Sequence, residues 1–137
     1  MKPLKKIKFI VIHHSQRKID SLKRIKDFHI KIRGWDDVGY HFLIGKNGKI
    51  YKARSEKFIG AHVYGYNKNS LGICLIGNFD EELPNKKQIQ TLIKLLKQKT
   101  KKFKIPIKNI LGHREFPNTT KTCPGKFVDM DEIRERH

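Results

Sequence analysis

Cysteine is scarce in this chain. Cys74 and Cys123 are the two among 137 residues, too few for a disulfide framework. Long apolar runs are missing as well. The run Phe9 to Ile12, behind a basic start, falls short of a signal-peptide core and of the roughly 18 residues that cross a membrane. The reading is therefore a chain with no signal peptide and no span. Internal repeats and Gly/Ser-rich linkers are absent, and ten Gly and five Pro are ordinary, so wholesale disorder is excluded. Acid is scarce beside base: 13 Asp+Glu stand against 31 Lys+Arg, a net charge of +18. Such an excess points to an anionic partner. Nucleic acid is not the expected one, because the basic-aromatic interleaving of RNA-binding sheets and a helix-turn-helix pattern are both missing. The length predicts a single domain over 1–137, with about two-thirds of the unfolded surface buried.

Phe9–Ile12 is a β-branched run and predicts a buried strand, ending at His13-His14-Ser15. Leu22, Ile25, Phe28 and Ile32 recur at helical steps and predict a helix from about Asp20 to Lys31, with Asp20 or Ser21 as cap. Tyr40–Ile44 and Lys49–Ala53 flank Gly45-Lys46-Asn47-Gly48, a hairpin pattern. Leu71–Gly77 reads as a central strand, apolar on both faces. The longest helix is predicted from Pro84 to Lys102, with Ile89, Leu92, Ile93 and Leu96 on its buried stripe. Eight lysines and no acid follow Asn85 as far as Lys104. Ile107–Leu111 predicts a last short strand, and Asp129–Arg136 a final helical turn or two. This alternation predicts an α/β fold: a central mixed, mostly parallel β-sheet with helices packed on its faces.

Two of the seven histidines close predicted strands, His13 and His113. In open α/β sheets, ligands bind outside the carboxyl ends of the strands, so parallel strands would bring both imidazoles to one rim. Cys123 follows His113 on a loop. Two His and one Cys form a three-ligand set of the kind that catalytic zinc sites use, softer than a carboxylate set and suited to Zn²⁺. Spacing leaves a plainer reading open, in which the histidines are hydrogen-bonded loop residues and the cysteine a small buried hydrophobe.

The series Ile12-His13-His14-Ser15, Gly34-Trp35-Asp36-Asp37-Val38-Gly39-Tyr40-His41-Phe42, Gly60-Ala61-His62, Gly65-Tyr66-Asn67, Gly112-His113-Arg114 and Lys121-Thr122-Cys123-Pro124-Gly125, in this order, resembles the zinc-dependent N-acetylmuramoyl-L-alanine amidases. That family comprises the bacteriophage lysozyme-type amidases and the peptidoglycan recognition proteins. The resemblance covers about residues 9 to 125. It implies a single-domain zinc hydrolase that cuts the amide between N-acetylmuramic acid and L-alanine, a lytic, endolysin-like enzyme. The alternative is a non-catalytic peptidoglycan-binding module of the same fold, and such recognition proteins typically lack the cysteine ligand.

By the resemblance, His13, His113 and Cys123 are the metal ligands. Tyr40 faces the nucleophilic water, and Lys121 steadies the oxyanion. Their bland alternatives are a hairpin aromatic and one solvated lysine among many. His62 and Asn67 fall in the loop that lines the family's cleft and are expected to touch substrate. Arg114 is expected to bind a peptide carboxylate or to pair with an acid. His14 and His41 each follow a functional residue on a strand and so point away from it; they read as structural. His29 divides evenly between the groove and an apolar helix face. Cys74 reads as inert core, and His137 as a disordered end. The expected partners are muramyl peptide and, through the basic surface, anionic cell-wall or outer-membrane polymers, bound by a monomer. The expected location is cytoplasmic until release to the wall, as in phage lysis, or export by another route.

Overall fold

The computed structural model describes residues 1–117, 119 and 121–137. Five strands, β1 (Phe9–His14), β2 (Phe42–Ile44), β3 (Ile50–Lys52), β4 (Ser70–Leu75) and β5 (Ile110–Gly112), form one sheet in the order β3-β2-β4-β1-β5. The pairs β2–β4, β4–β1 and β1–β5 are parallel, while β2–β3 is the antiparallel hairpin. The mixed, mostly parallel sheet is as expected, and β1 and β4 at its centre are almost wholly buried.

Alternation along the strands assigns the two faces. Ile10, Ile12, Phe42, Ile44, Ile73 and Leu75 share one core with Leu92, Leu95 and Leu96 of the long helix α2 (Lys86–Phe103) and with Met130 and Ile133 of α3 (Met130–Arg136). Each buried leucine on α2 contributes about 1.5–3 kcal/mol relative to exposure. Asn85 caps α2 by accepting from the Gln88 amide, and Lys104 ends it in the left-handed conformation at φ 55. Leu43, Cys74 and Val38 meet Ile25 of α1 (Leu22–Asp27) on the opposite face. Cys74 sits between Leu43 and His13 in register, so His13 belongs to this second face.

The predicted first helix divides. Ser21 caps α1 through its side chain, and a π-helical turn then runs Phe28–Ile32, with the Arg33 amide donating to Phe28 O at 3.1 Å. The wider turn adds a residue to the helical phase. His29 is thereby buried, and Ile32, expected on the apolar stripe, is 73% exposed. At the other end of the chain, Ile107–Asn109 forms a 3₁₀ turn behind Pro106 and leaves β5 three residues long. At the last residue, expected to be a free end, the His137 imidazole lies 2.6 Å from Thr100 Oγ1. Among the described residues no helix is long and apolar enough to cross a membrane.

The segment after β3 is fastened to α2 by Glu56, whose carboxylate accepts from Lys99 Nζ at 2.8 Å and also from Lys102. Lys99 is 8% exposed, so losing the carboxylate strands a buried cation. Glu56→Gln is expected to cost about 3 kcal/mol at pH 7, read by denaturant unfolding. Burial alone would raise the Glu56 carboxyl, but the hydrogen bonds from Lys102 and Lys99 override it and hold it below its ordinary value. A depressed folded pKa means that the stabilisation is present above the ordinary carboxylate range and fades as pH falls through the folded value. The gap between wild type and variant should therefore close in acid; a gap that persists there would contradict the ion-pair account.

Candidate metal centre

His13 stands at the carboxyl end of β1 and His113 immediately after β5, its parallel neighbour. Both imidazoles therefore emerge at one rim, with ring centroids 4.8 Å apart. Cys123 comes to them on a loop, its Sγ 3.7 Å from His13 Nδ1. One ligand atom from each of the three residues lies within 4.8 Å of the others.

The loop that carries Cys123 is held at several points. The Arg114 amide donates to Cys123 O at 2.7 Å, and the Gly125 amide closes a turn onto Thr122 O. Asp80 accepts from Thr122 Oγ1 on one side of the cysteine and from the Lys126 amide on the other, at 2.8 and 3.0 Å. The Arg114 guanidinium donates to Gly125 O and Val128 O, both at 2.6 Å. This corrects the expectation for Arg114. Its donors serve loop carbonyls, and it is not among the residues that line the cleft.

Tyr40 reaches the site from the segment before β2, with its ring 5.1 Å from that of His13. Its neighbours fix it. Gly39 must be glycine, because a Cβ there would lie 2.1 Å from Ala61 O. His29 Nδ1 accepts from the Gly39 amide at 2.9 Å. His41 bonds the Gly72 amide through Nδ1 and Phe58 O through Nε2, the structural role expected of it. The buried Arg54 gives its guanidinium to the carbonyls of Val38, Ile59 and Asp37. Sequence reasoning missed Arg54 and Asp80, since an isolated charge in a loop carries no signal that it will be buried. His14 also keeps its structural role, accepting from the Phe79 amide.

Burial, helped by the neighbouring His62 and His113, holds the His13 imidazole well below its ordinary value. Burial and the Lys121 charge lower His113 in the same direction. Both are neutral at pH 7, with lone pairs available to a metal. Burial pushes the Cys123 thiol up to about 11, and it drives the Tyr40 phenol well above its usual range. Tyr40 is thus a hydrogen-bond donor that keeps its proton. Two neutral imidazoles and an ionisable thiol within reach of one point fit a zinc ion.

These residues open on a cleft of ≈ 880 Å³. Phe28, Arg33 and Trp35 form one wall, with the Arg33 guanidinium about equally spaced from the two rings at 5.1 and 5.2 Å. Tyr64 and Phe116 contribute to the lining, and Lys121 is exposed beside the ligands. Arg24, Arg33 and Lys121 line the cleft with no carboxylate among its described lining residues. His62 and Asn67 border it too, but their bonds turn inward. Asn67 Oδ1 accepts from the amides of His62 and Val63, and the two His62 ring nitrogens face His13 and Ser70.

Comparison with known proteins adds a second line of argument. A family model described as N-acetylmuramoyl-L-alanine amidase matches residues 3–126. Peptidoglycan-recognition protein LB of Drosophila melanogaster is 39% identical over 127 residues, which cover 85% of this chain and 54% of that protein. The N-acetylmuramoyl-L-alanine amidase LysC from Clostridium intestinale superposes with a TM-score of 0.88 at 34% identity, over 96% of this chain and 85% of that one. The ectodomain complex of peptidoglycan recognition proteins LCa and LCx, solved with bound tracheal cytotoxin, matches with a TM-score of 0.81 at 30% identity, over 94% and 81% of the two chains. The chain spans about half the length, or less, of the first curated relatives that it matches.

Proposed function

The chain belongs to the N-acetylmuramoyl-L-alanine amidase family, and on that premise we propose that it is a zinc-dependent hydrolase cleaving the amide between N-acetylmuramic acid and the L-alanine of the stem peptide. The observation that carries this reading is the convergence of His13, His113 and Cys123 on one point of a cationic cleft, with Tyr40 and Lys121 beside them. A non-catalytic module would need the cleft but not the thiolate.

An amide is a poor electrophile, and hydrolysis places an oxyanion on its carbonyl carbon. A zinc ion held by the three ligands would supply Lewis acidity, acidifying water and polarising the carbonyl. Lys121 offers a positive charge where that oxyanion develops. Tyr40 keeps its proton and donates a hydrogen bond that orients the nucleophilic water. The Phe28 and Trp35 wall excludes solvent on one side of the cleft, and Arg33 favours a substrate carrying free carboxylates, whereas Arg24 is already paired with Asp20.

The test is zinc content together with mass spectrometry of purified peptidoglycan after incubation. Free stem peptides beginning at L-alanine establish the amidase. Retention on peptidoglycan with no peptide released, by zinc-loaded protein, would favour the binding module.

The lysines extend the proposal to anionic wall polymers. Lys86, Lys87, Lys94, Lys97, Lys101 and Lys104 are exposed, whereas Lys99 is buried against Glu56. Contacts made by exposed charges are screened over about 8–10 Å at physiological salt. Binding to intact walls should therefore weaken steeply between low and high salt, while turnover of a small neutral muramyl-peptide amide stays nearly flat. Wall binding indifferent to salt would reduce the lysines to a solubility device, and tighter binding to nucleic acid at matched salt would redirect the partner.

A further inference from the structure

The ring of His62 is the least expected feature of the centre. It lies perpendicular to that of His13, at 88° with centroids 5.0 Å apart, and its Nδ1 is 3.0 Å from His13 Nε2. Its own Nε2 is 3.2 Å from Ser70 Oγ at the start of β4. The Asn67 side chain pins the backbone on which the ring is carried. The ring occupies space reserved by Gly72, where a Cβ would come within 2.7 Å of it. Two imidazoles bonded nitrogen to nitrogen cannot both present a proton, or both a lone pair, to the shared contact. The nitrogen of His13 that faces Cys123 is Nδ1, so Nδ1 is the one placed to hold the metal and must be unprotonated. The proton of neutral His13 then sits on Nε2 and needs an acceptor.

We infer that His62 is a positioning residue for the metal: its Nδ1 accepts the Nε2 proton of His13 and fixes both the tautomer and the ring angle that offer Nδ1 to the ion. The direction of the chain follows. His13 donates to His62, and His62 donates through its own Nε2 to Ser70. Outer partners of this kind orient ligating histidines and raise their basicity. The inference rests on the zinc reading of the site and adds a residue outside the ligand set.

Two variants separate acceptor from bulk. His62→Phe keeps a ring of similar size with no acceptor; His62→Asn keeps an oxygen close to the position of Nδ1. Zinc affinity is measured by competition with a chromophoric chelator. His62→Phe should bind zinc on the order of 10–100-fold more weakly, and His62→Asn should recover most of the loss. In the wild type, ¹⁵N NMR of the zinc-loaded protein should show His13 protonated on Nε2 and metallated on Nδ1, a result available even if a variant fails to fold. Wild-type affinity in His62→Phe, or a His13 proton on Nδ1, overturns the inference while leaving the metal site standing. A wild-type protein that takes up no zinc overturns both.

Discussion

Cys123→Ser is expected to abolish stoichiometric zinc binding and, with it, essentially all hydrolysis. The reason is the cost of making the third ligand anionic. Burial already pushes the thiol up to about 11, so the metal-free protein carries the proton and must release it when the metal arrives. A serine hydroxyl is far harder to ionise, and it is a harder donor than zinc prefers alongside two imidazoles. The same proton gives the wild type a measurable signature. His13 and His113 are lowered, chiefly by burial, and contribute no proton near neutrality. The thiol contributes one, so zinc affinity should rise about tenfold per pH unit between roughly pH 7 and pH 9. Competition titrations across that range check the slope. Cys123→Ser should lose the slope together with the affinity. A serine variant that holds one zinc and full activity after dialysis against chelator would remove Cys123 from the centre.

Tyr40→Phe and Lys121→Ala should behave in the opposite way, keeping fold and zinc and losing turnover. Removing one preorganised donor from a developing oxyanion costs on the order of 10²–10³ in rate. Lys121 is exposed on a loop, and its charge reaches His113 and Cys123 without bonding either. Its removal should therefore lower kcat with little change in metal content. Tyr40→Phe removes only a hydroxyl, so the ring contacts with His13 and His29 survive. Both are read by initial rates on a muramyl-peptide amide with zinc measured in parallel. Near-normal turnover in both variants would take them out of the mechanism, and loss of zinc from either would reassign it to the metal shell.

The sequence made the sheet legible because β1, β2, β4 and β5 are short, mostly apolar runs, and because the Asn-Gly turn of the hairpin admits few alternatives. The convergence of His13 and His113 was legible from strand ends alone, given parallel neighbours. Other features had no local signal. The π turn depends on hydrogen bonds that periodicity does not encode, which is why Ile32 looked buried. The inward bonding of His62 needed the register between β1 and β4, and the burial of Arg54 needed three carbonyls from two separate loops. Arg114 beside a ligand looked available to substrate, yet the carbonyls that take its donors are brought there by the Cys123 loop itself.

The long helix α2 lies against one face of the sheet. Its apolar stripe covers the sheet face that carries Ile10 and Ile12, whereas His13 belongs to the other face. The lysine-bearing helix is therefore the back of the molecule and the cleft its front. A short polyanion segment held by the back does not reach the front, because the thickness of the sheet and helix lies between them. If the proposed wall binding and hydrolysis both hold, a molecule moored to one strand of a polymer mesh would present its cleft to the neighbouring strand. Its working radius would then be set by the mesh spacing rather than by diffusion along the strand that holds it.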